Sequence, residues 1–447
     1  MTQLISDFKS KMKIREEKRL KERQERQDER KKRREQGEEE VSSDTDDEYD
    51  IKDLSEEEKQ AHRDKKAKET EEKLVKNAEI KFTYDQLVDG LKNNKYKKIV
   101  VVTGAGISVA AGIPDFRSPK TGLYANLSQY NLPRPESMFD IEYFKEKPEA
   151  FYHLAKEFLD LQKYMPTPAH HFIKLLDDKK LLQINMTQNI DNLEEKTGLD
   201  MAKVAQAHGA NVGASCAKCK QAHDRDKLNA CIQKQEIMKC HLDYTWTDNE
   251  IYEKDEKGWP KYSEDGKPIL KSCTTHTELC NGPVKPNIVF FGEPMHPSFR
   301  QGCDLIRNKE RGIVKLLDEA PKQLFEHGGC DLMIIIGTAL AVFPFNSVVH
   351  EAEESCPKVL INLENLEHNY FDFDNLLEHP ERLLLQGRAQ DTIKKLCKDV
   401  GWSEELQALV NECEKKYGKK PQAKTEESKQ GEKTTKQTAT SKSAQNT

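Results

Sequence analysis

Two groups of residues have types and spacings suited to chemistry. The first is a glycine turn, Gly104-Ala105-Gly106-Ile107-Ser108, entered directly from the apolar run Lys97 to Val102 and followed by the helical-looking SVAAGI. Glycines between a strand and a helix let backbone approach a diphosphate, whose charge is met by N–H groups at the helix N-terminus. The spacing is not the full dinucleotide fingerprint, and a short GAG after a strand can also be a tight connection. Close behind it, Gly112-Ile113-Pro114-Asp115-Phe116-Arg117 combines a rigid turn, a carboxylate, an aromatic ring and a guanidinium. The second group is Cys216-x2-Cys219, a spacing that lets two thiolates grip one tetrahedral ion. The chain has 11 cysteines, some closely paired and others scattered, which favours metal ligands plus reduced thiols over a disulfide framework.

Such groups need rigid elements behind them. The runs KKIVVVTGAGI (Lys97 to Ile107) and DLMIIIGTAL (Asp331 to Leu340) have glycine at their ends and suit buried parallel strands of an α/β fold. A length of 447 residues allows one large domain or two ordinary ones with appendages. A mean hydropathy of -0.85 and 34% charged residues are too polar for a chain packed throughout. The excess lies at the ends, so 1–81 is expected to be a charged, largely disordered or helical tail and 418–447 a disordered one. Arg23 to Arg34 reads as a solvated helix with i to i+4 ion pairs, or its RKKRR as a nuclear import signal or nucleic-acid patch. No apolar run reaches the roughly 18 residues a membrane span needs, and Met1 to Arg30 has no apolar signal-peptide core. A soluble, intracellular protein with no membrane partner is expected.

The motifs continue in order along the chain, and together they resemble the sirtuin family, in which GAGIS followed by GIPDFR is a signature of high specificity. Thr187-Gln188-Asn189-Ile190-Asp191 matches the family's TQNID, Ala207-His208-Gly209 its AHG, and Lys285 to Glu293 its KPxIVFFGE. Gly337-Thr338-Ala339 stands at the GTS position and Ile361-Asn362-Leu363-Glu364 at the INxE strand. The similarity covers roughly Phe82 to Trp402, and Thr121 to Phe151 is most similar to the cytosolic and nuclear deacetylase branch.

The resemblance implies a large Rossmann-like domain with a parallel sheet and a smaller zinc-binding and helical domain, with NAD and acyl-lysine entering the cleft between them. The catalytic domain would span 82–402, with the zinc module inserted at about 208–285 and a short helical extension at 403–417. In that scheme Ala105, Gly106, Ile107, Ser108 and Val109 line the dinucleotide, Arg117 reaches phosphate or ribose, and Asp115 and Phe116 belong to a cofactor loop. Asn189 and Asp191 form the nicotinamide pocket, with Asn189 also serving catalysis, and Gln188 and Ile190 are further cofactor-binding positions. Thr338, Asn362 and Glu364 attend the cofactor's adenosine half, and Gly337, Ala339, Leu363 and Ala389 are further cofactor-binding positions. His208 is the implied general base, a role suited to a ring whose ordinary pKa lies near the working pH. Val289 and Phe290 would offer backbone contacts to the substrate peptide. Departures from the family pattern fall at Ala210, Asn211, Ala339 and Ala389 and bear on rate, NAD affinity and acyl preference.

The zinc ligands are irregular. Cys280 stands where the family has its last ligand, but Thr277 occupies the place of that ligand's usual partner. Cys273 is favoured as the fourth ligand beside Cys216, Cys219 and Cys280 because a thiolate matches the other three, and His276 is its rival. Cys231 or Cys240 would have to reach in from the long insertion between the pairs.

The implied activity is NAD-dependent removal of acetyl groups from lysines of histones or other proteins, in cytoplasm or nucleus, with no nucleic-acid site required. Removal of longer acyl groups, protein ADP-ribosylation, or acyl-lysine binding without turnover are the alternatives.

Overall fold

The computed structural model describes residues 56–114, 127, 132–158, 163–247, 251–252, 261, 270–272, 275–307, 329–366 and 371–418, with isolated positions between 6 and 21. The strands are β1 (Ile99–Thr103), β2 (Leu182–Thr187), β3 (Val204–Gln206), β4 (Gly209–Cys216), β5 (Ala222–His223), β6 (Asp243–Thr247) and β7 (Ile251–Tyr252). After them come β8 (Leu270–Ser272), β9 (Thr275–Leu279), β10 (Val284–Ile288), β11 (Leu332–Ile336), β12 (Lys358–Asn362) and β13 (Arg382–Gln386).

Six strands form one parallel sheet in the order β13-β12-β11-β1-β2-β3. The expected α/β class is the one observed. Every residue of β1 and of β11 is buried, because the sheet is covered on both faces. Ile99, Val101, Leu332, Ile334 and Ile336 face one core, whose outer layer includes the helices Tyr84–Lys92, Pro168–Asp178 and Ala389–Val400. Val100, Val102, Met333 and Ile335 face the other, covered by the helix Pro297–Arg307 and the 3₁₀ turn Phe345–His350. The chain builds outward from β1 to β3, then returns to β11 and builds the other way. The strand order thus reverses between β1 and β11, the place where such a sheet offers a crevice at the carboxyl ends of its strands.

Between β3 and β11 the chain makes a smaller unit around the antiparallel sheet β10-β4-β5, with the paired strands β6-β9 and β7-β8 as an extension. Its core joins Phe139, Phe144, Phe151, Tyr152 and Phe290, largely edge to face, to Leu228 and Ile232 of the helix Arg225–Lys234.

Two local features differ from the sequence reading. After the glycine turn the chain makes two 3₁₀ turns, Ala105–Ile107 and Val109–Ala111, in place of a longer helix. Gly112 ends the second in the left-handed region at φ 94°, and Pro114 cannot continue a helix. The stretch read as an N-terminal tail holds the helix Glu56–Ile80, whose last turns dock. Leu74, 1% exposed, packs on Leu376, and Asn77 Nδ2 donates to the carbonyls of Leu376 and Leu377 at 2.9 and 2.8 Å. The Arg23 to Arg34 block and the stretch 419–447 lie outside the described residues, apart from isolated helical positions in the N-terminal segment.

Candidate active site

The crevice floor is backbone against backbone. Gly106 N–H donates to Gly337 O at 2.8 Å, and a Cβ on Gly106 would come within 2.7 Å of Gly337 Cα. A Cβ on Gly104 would meet Thr338 Cβ at 2.7 Å. Glycine at these positions is thus required for the loops after β1 and β11 to touch, and it leaves the half-buried backbone of Ala105, Gly106 and Gly337 clear of side chains. That arrangement fits the close approach of a dinucleotide.

The segment after β2 closes one wall. Gln188 N–H donates to Thr103 O at 3.1 Å, and its side chain donates to Thr338 Oγ1 at 2.7 Å. Asn189 Nδ2 donates to Gly104 O at 3.1 Å and to Ser108 Oγ at 3.3 Å. Ser108 Oγ in turn donates to Asp191 Oδ2 at 2.7 Å, and Asp191 Oδ1 accepts from Leu193 N–H at 3.1 Å. Ser108, Asn189 and Asp191 thus meet in one buried polar network. Burial raises the Asp191 pKa against the lowering effect of those two hydrogen bonds.

His170 and Glu194 complete this network and were not singled out from the sequence. His170 is the N3 residue of the helix Pro168–Asp178; its Nδ1 accepts from Thr167 N–H at 3.1 Å, and its Nε2 lies 3.5 Å from Ser108 Oγ. Burial lowers its pKa to about 3, so the ring is neutral. The run Thr167-Pro168-Ala169-His170, a cap residue and a first-turn proline, is the signal that marks it.

Glu194 is buried, with Asn185 Nδ2 at 3.5 Å from Oε1. Burial first, then the Asp191 carboxylate, raises its pKa from 4.5 to about 8. Its share of stability is full below pH 4.5, where the unfolded chain is protonated too, and is lost as pH rises through about 8. Glu194→Gln keeps the shape and cannot ionise, so it is expected to flatten that loss by on the order of a few kcal/mol. Denaturation midpoints at about pH 5 and about pH 8.5 read this out, and an unchanged pH slope contradicts it.

His208 sits between β3 and β4, half-buried, with its ring 6.0 Å from that of Phe345. Its Nδ1 lies 3.0 Å from Gln188 O. A carbonyl only accepts, so Nδ1 carries the hydrogen and the neutral ring's basic nitrogen is Nε2. Gly209 has φ 69°, and a Cβ there would collide with Asn287 O, so glycine is what lets His208 O receive Val289 N–H at 2.8 Å. The Phe290 side chain is buried in the aromatic core.

The remaining positions fall on the crevice's far side or outside it. Asn362 ends β12 and Leu363 and Glu364 follow it, both exposed, with Asn362 Nδ2 donating to Glu364 O at 3.1 Å. Ala389 is buried at the start of its helix, Ile107 is buried in the core, and Val109 and Ala339 are exposed. Asp115, Phe116 and Arg117 lie outside the described residues.

In the smaller unit the thiols of Cys216, Cys219, Cys240 and Cys280 all lie within 4.8 Å of one another. The Sγ separations are 3.5 Å for Cys216 and Cys280 and 3.7 Å for Cys219 and Cys240. A zinc ion about 2.3 Å from each of four sulfurs needs edges of about 3.8 Å, so the donor set fits tetrahedral zinc. Among the described residues the fourth thiol is Cys240; Cys273, which the sequence reading favoured, lies outside them. The reason is local. Strands β6 and β9 pair from Asp243 with Leu279 outward, so the insertion leaves and returns at one place. Asn281 N–H then donates to Cys240 O at 3.1 Å, which seats Cys240 beside Cys280.

Comparison with known proteins agrees with these motifs. The Sir2 family model matches residues 104–315. The chain is 34% identical over 342 residues to NAD-dependent protein deacetylase hst2 of Schizosaccharomyces pombe, covering 75% of this chain and 82% of that one. The chain belongs to the Sir2 family, the sirtuins. Among other sirtuins it is 34% identical over 342 residues to NAD-dependent protein deacetylase sirtuin-2 of Danio rerio, covering 74% of this chain and 75% of that one. It is also 37% identical over 332 residues to NAD-dependent deacetylase sir2A of Dictyostelium discoideum, where the match covers 74% of this chain and 54% of that larger sirtuin.

Proposed function

We propose that this sirtuin removes acetyl groups from lysine side chains of proteins, consuming NAD and yielding nicotinamide, O-acetyl-ADP-ribose and free lysine. The observation that carries the reading is the convergence of His208, Asn189, Asp191 and Ser108 on the glycine-floored crevice of a Sir2-family fold. NAD, when bound, supplies a ribose carbon whose nicotinamide can leave, so that the acyl oxygen gains a bonding partner there. The chain's own residues orient and move protons. Asn189 and Asp191, fixed by Gly104 and Ser108, hold the nicotinamide end in register. His208 takes a proton from a ribose hydroxyl at Nε2, because Gln188 O retains the hydrogen on Nδ1. The half-buried position of His208 beside Phe345 restricts water there. Val289 lies beside His208 through the Val289 N–H to His208 O bond, so a peptide added alongside as a strand brings its acyl-lysine to the general base.

Acetylated histones and other acetylated proteins are the proposed substrates, in cytoplasm or nucleus. No described helix is long and apolar enough to cross a membrane. The zinc ion held by Cys216, Cys219, Cys240 and Cys280 is structural in this reading, since four thiols leave no open position for substrate. Acetyl-lysine and longer acyl-lysine peptides, each with labelled NAD, test the proposal side by side. Acetyl-lysine is expected to be consumed with release of nicotinamide and no label on protein. Label transferred to protein without deacetylation, or binding without nicotinamide release, would replace the reading.

A further inference from the structure

Two thiols outside the zinc group face each other at the amino ends of β11 and β12. Cys356 Sγ lies 3.6 Å from Cys330 Sγ, and the residues are 5% and 7% exposed. Among the described residues, the other sulfur pairs in such contact all belong to the zinc group. The backbones that carry the two thiols are pinned. Asp331, next to Cys330, donates its N–H to Lys98 O at 3.0 Å, and its Oδ2 accepts from Lys97 and Lys98 N–H at 3.0 and 3.2 Å. Met333 N–H donates to Pro357 O at 2.9 Å, so the β11–β12 ladder begins beside both cysteines. A disulfide needs sulfurs about 2.05 Å apart on Cα atoms about 4.4 to 6.8 Å apart. Neighbouring strands, spaced about 4.8 Å, suit the second condition, and side-chain rotation supplies the first.

The surroundings distinguish the two sulfurs. Lys358, 3% exposed, carries its ammonium beside Cys356: Nζ donates to the carbonyls of Cys356, Glu353 and Glu354 at 3.1, 2.9 and 3.4 Å. Carbonyls solvate that charge without cancelling it, and Glu381, a carboxylate Lys358 also feels, already faces Arg382 Nε at 3.4 Å. A cation held this way favours a thiolate on Cys356. The Cys356 sulfur also lies 3.6 Å from Pro357 O, an acceptor for its hydrogen until the thiol ionises. Cys330 is the opposite case, since contact with Cys356 and then burial raise its pKa well above the ordinary value.

We propose that Cys330 and Cys356 are a reversible redox pair, in which Cys356 attacks a small hydroperoxide and Cys330 closes a disulfide that staples the β11–β12 crossover. The Cys356 thiolate bonds to one peroxide oxygen and the O–O bond breaks. The other oxygen leaves with the proton that Cys356 gave up, as an alcohol or, from hydrogen peroxide, as water, and Cys356 becomes a sulfenic acid. The Cys330 sulfur then forms the S–S bond, and the sulfenic hydroxyl departs with the Cys330 proton as water. Two thiols are oxidised with loss of two hydrogens, and one peroxide bond is reduced. A dithiol reverses the reaction by exchange. The low exposure of both sulfurs favours a small oxidant over a protein disulfide. The closed ring contains β11, the Gly337 loop on the crevice floor and Phe345 beside His208. Gly337 follows the far end of β11, roughly 20 Å from the thiols, so the staple stays clear of the crevice.

The test treats the zinc-loaded chain with a few equivalents of hydrogen peroxide, caps the remaining thiols in denaturant, and maps the digest by mass spectrometry. Zinc per chain and the thermal midpoint are read on the same sample. The expected product is a Cys330–Cys356 linked peptide pair, two hydrogens lighter than the separate peptides and lost on treatment with dithiothreitol, with zinc retained. The midpoint is expected to rise by several degrees, because the ring restricts the unfolded chain. In Cys330→Ala, which lacks the resolving thiol, dimedone is expected to label Cys356; in Cys356→Ala it leaves Cys330 unlabelled. Zinc release or oxidation of other cysteines while Cys330 and Cys356 stay reduced overturns the pair, and a linked pair with an unchanged midpoint overturns the staple. Label on Cys330 in Cys356→Ala overturns the assignment of the attacking sulfur. Mapping of the unaltered chain decides the pair even where a variant fails to fold.

Discussion

Replacing His208 with alanine is expected to lower NAD-dependent deacetylation about a hundredfold or more, the usual cost of losing a general base. The fold should survive, because the ring is half-buried and belongs to neither of the two main cores of the protein. NAD binding should survive as well, since the glycine contacts between the loops after β1 and β11 do not involve the ring. The relevant measurements are steady-state turnover and calorimetric NAD affinity on the same preparation. Asn189→Ala should damage turnover comparably, because Asn189 Nδ2 is bonded to Gly104 O and Ser108 Oγ together. Near-normal turnover in a folded His208→Ala protein would remove His208 from the mechanism.

Cys240→Ser is expected to release zinc and to destabilise the smaller unit by on the order of several kcal/mol, because structural zinc binding is folding free energy. Activity then falls indirectly. The thiols lie in or against the same core cluster as Phe290, which adjoins Val289 at the proposed substrate edge. Metal content and thermal unfolding of Cys240→Ser, Cys273→Ser and His276→Ala discriminate the candidates. The account expects loss of zinc only in the first. Full retention in Cys240→Ser with loss in Cys273→Ser would return the fourth position to Cys273.

What was legible in the sequence followed from short-range rules. Continuous apolar runs bounded by glycine marked β1 and β11, since strands buried on both faces show no alternation. The glycine turn was legible for the same reason: a backbone approach admits no Cβ. The fourth thiol was obscured by distance. Cys240 and Cys280 are far apart in sequence, but β6 and β9 run out and back and bring the insertion's ends together. Pairing of that kind depends on register, which spacing alone does not reveal. His170 and Glu194 were hidden because their importance comes from burial beside Ser108 and Asp191, and those neighbours are supplied by other segments. The docked end of the helix Glu56–Ile80 was masked by its charged composition, in which Leu74 and Asn77 are the contacts that count.

Incubating the full-length chain with acetylated histone peptide and NAD, and counting both products, tests the central claim most directly. The account predicts loss of acetyl that requires NAD and proceeds with one nicotinamide released per acetyl removed. Nicotinamide release without deacetylation, or deacetylation that continues without NAD, would contradict it.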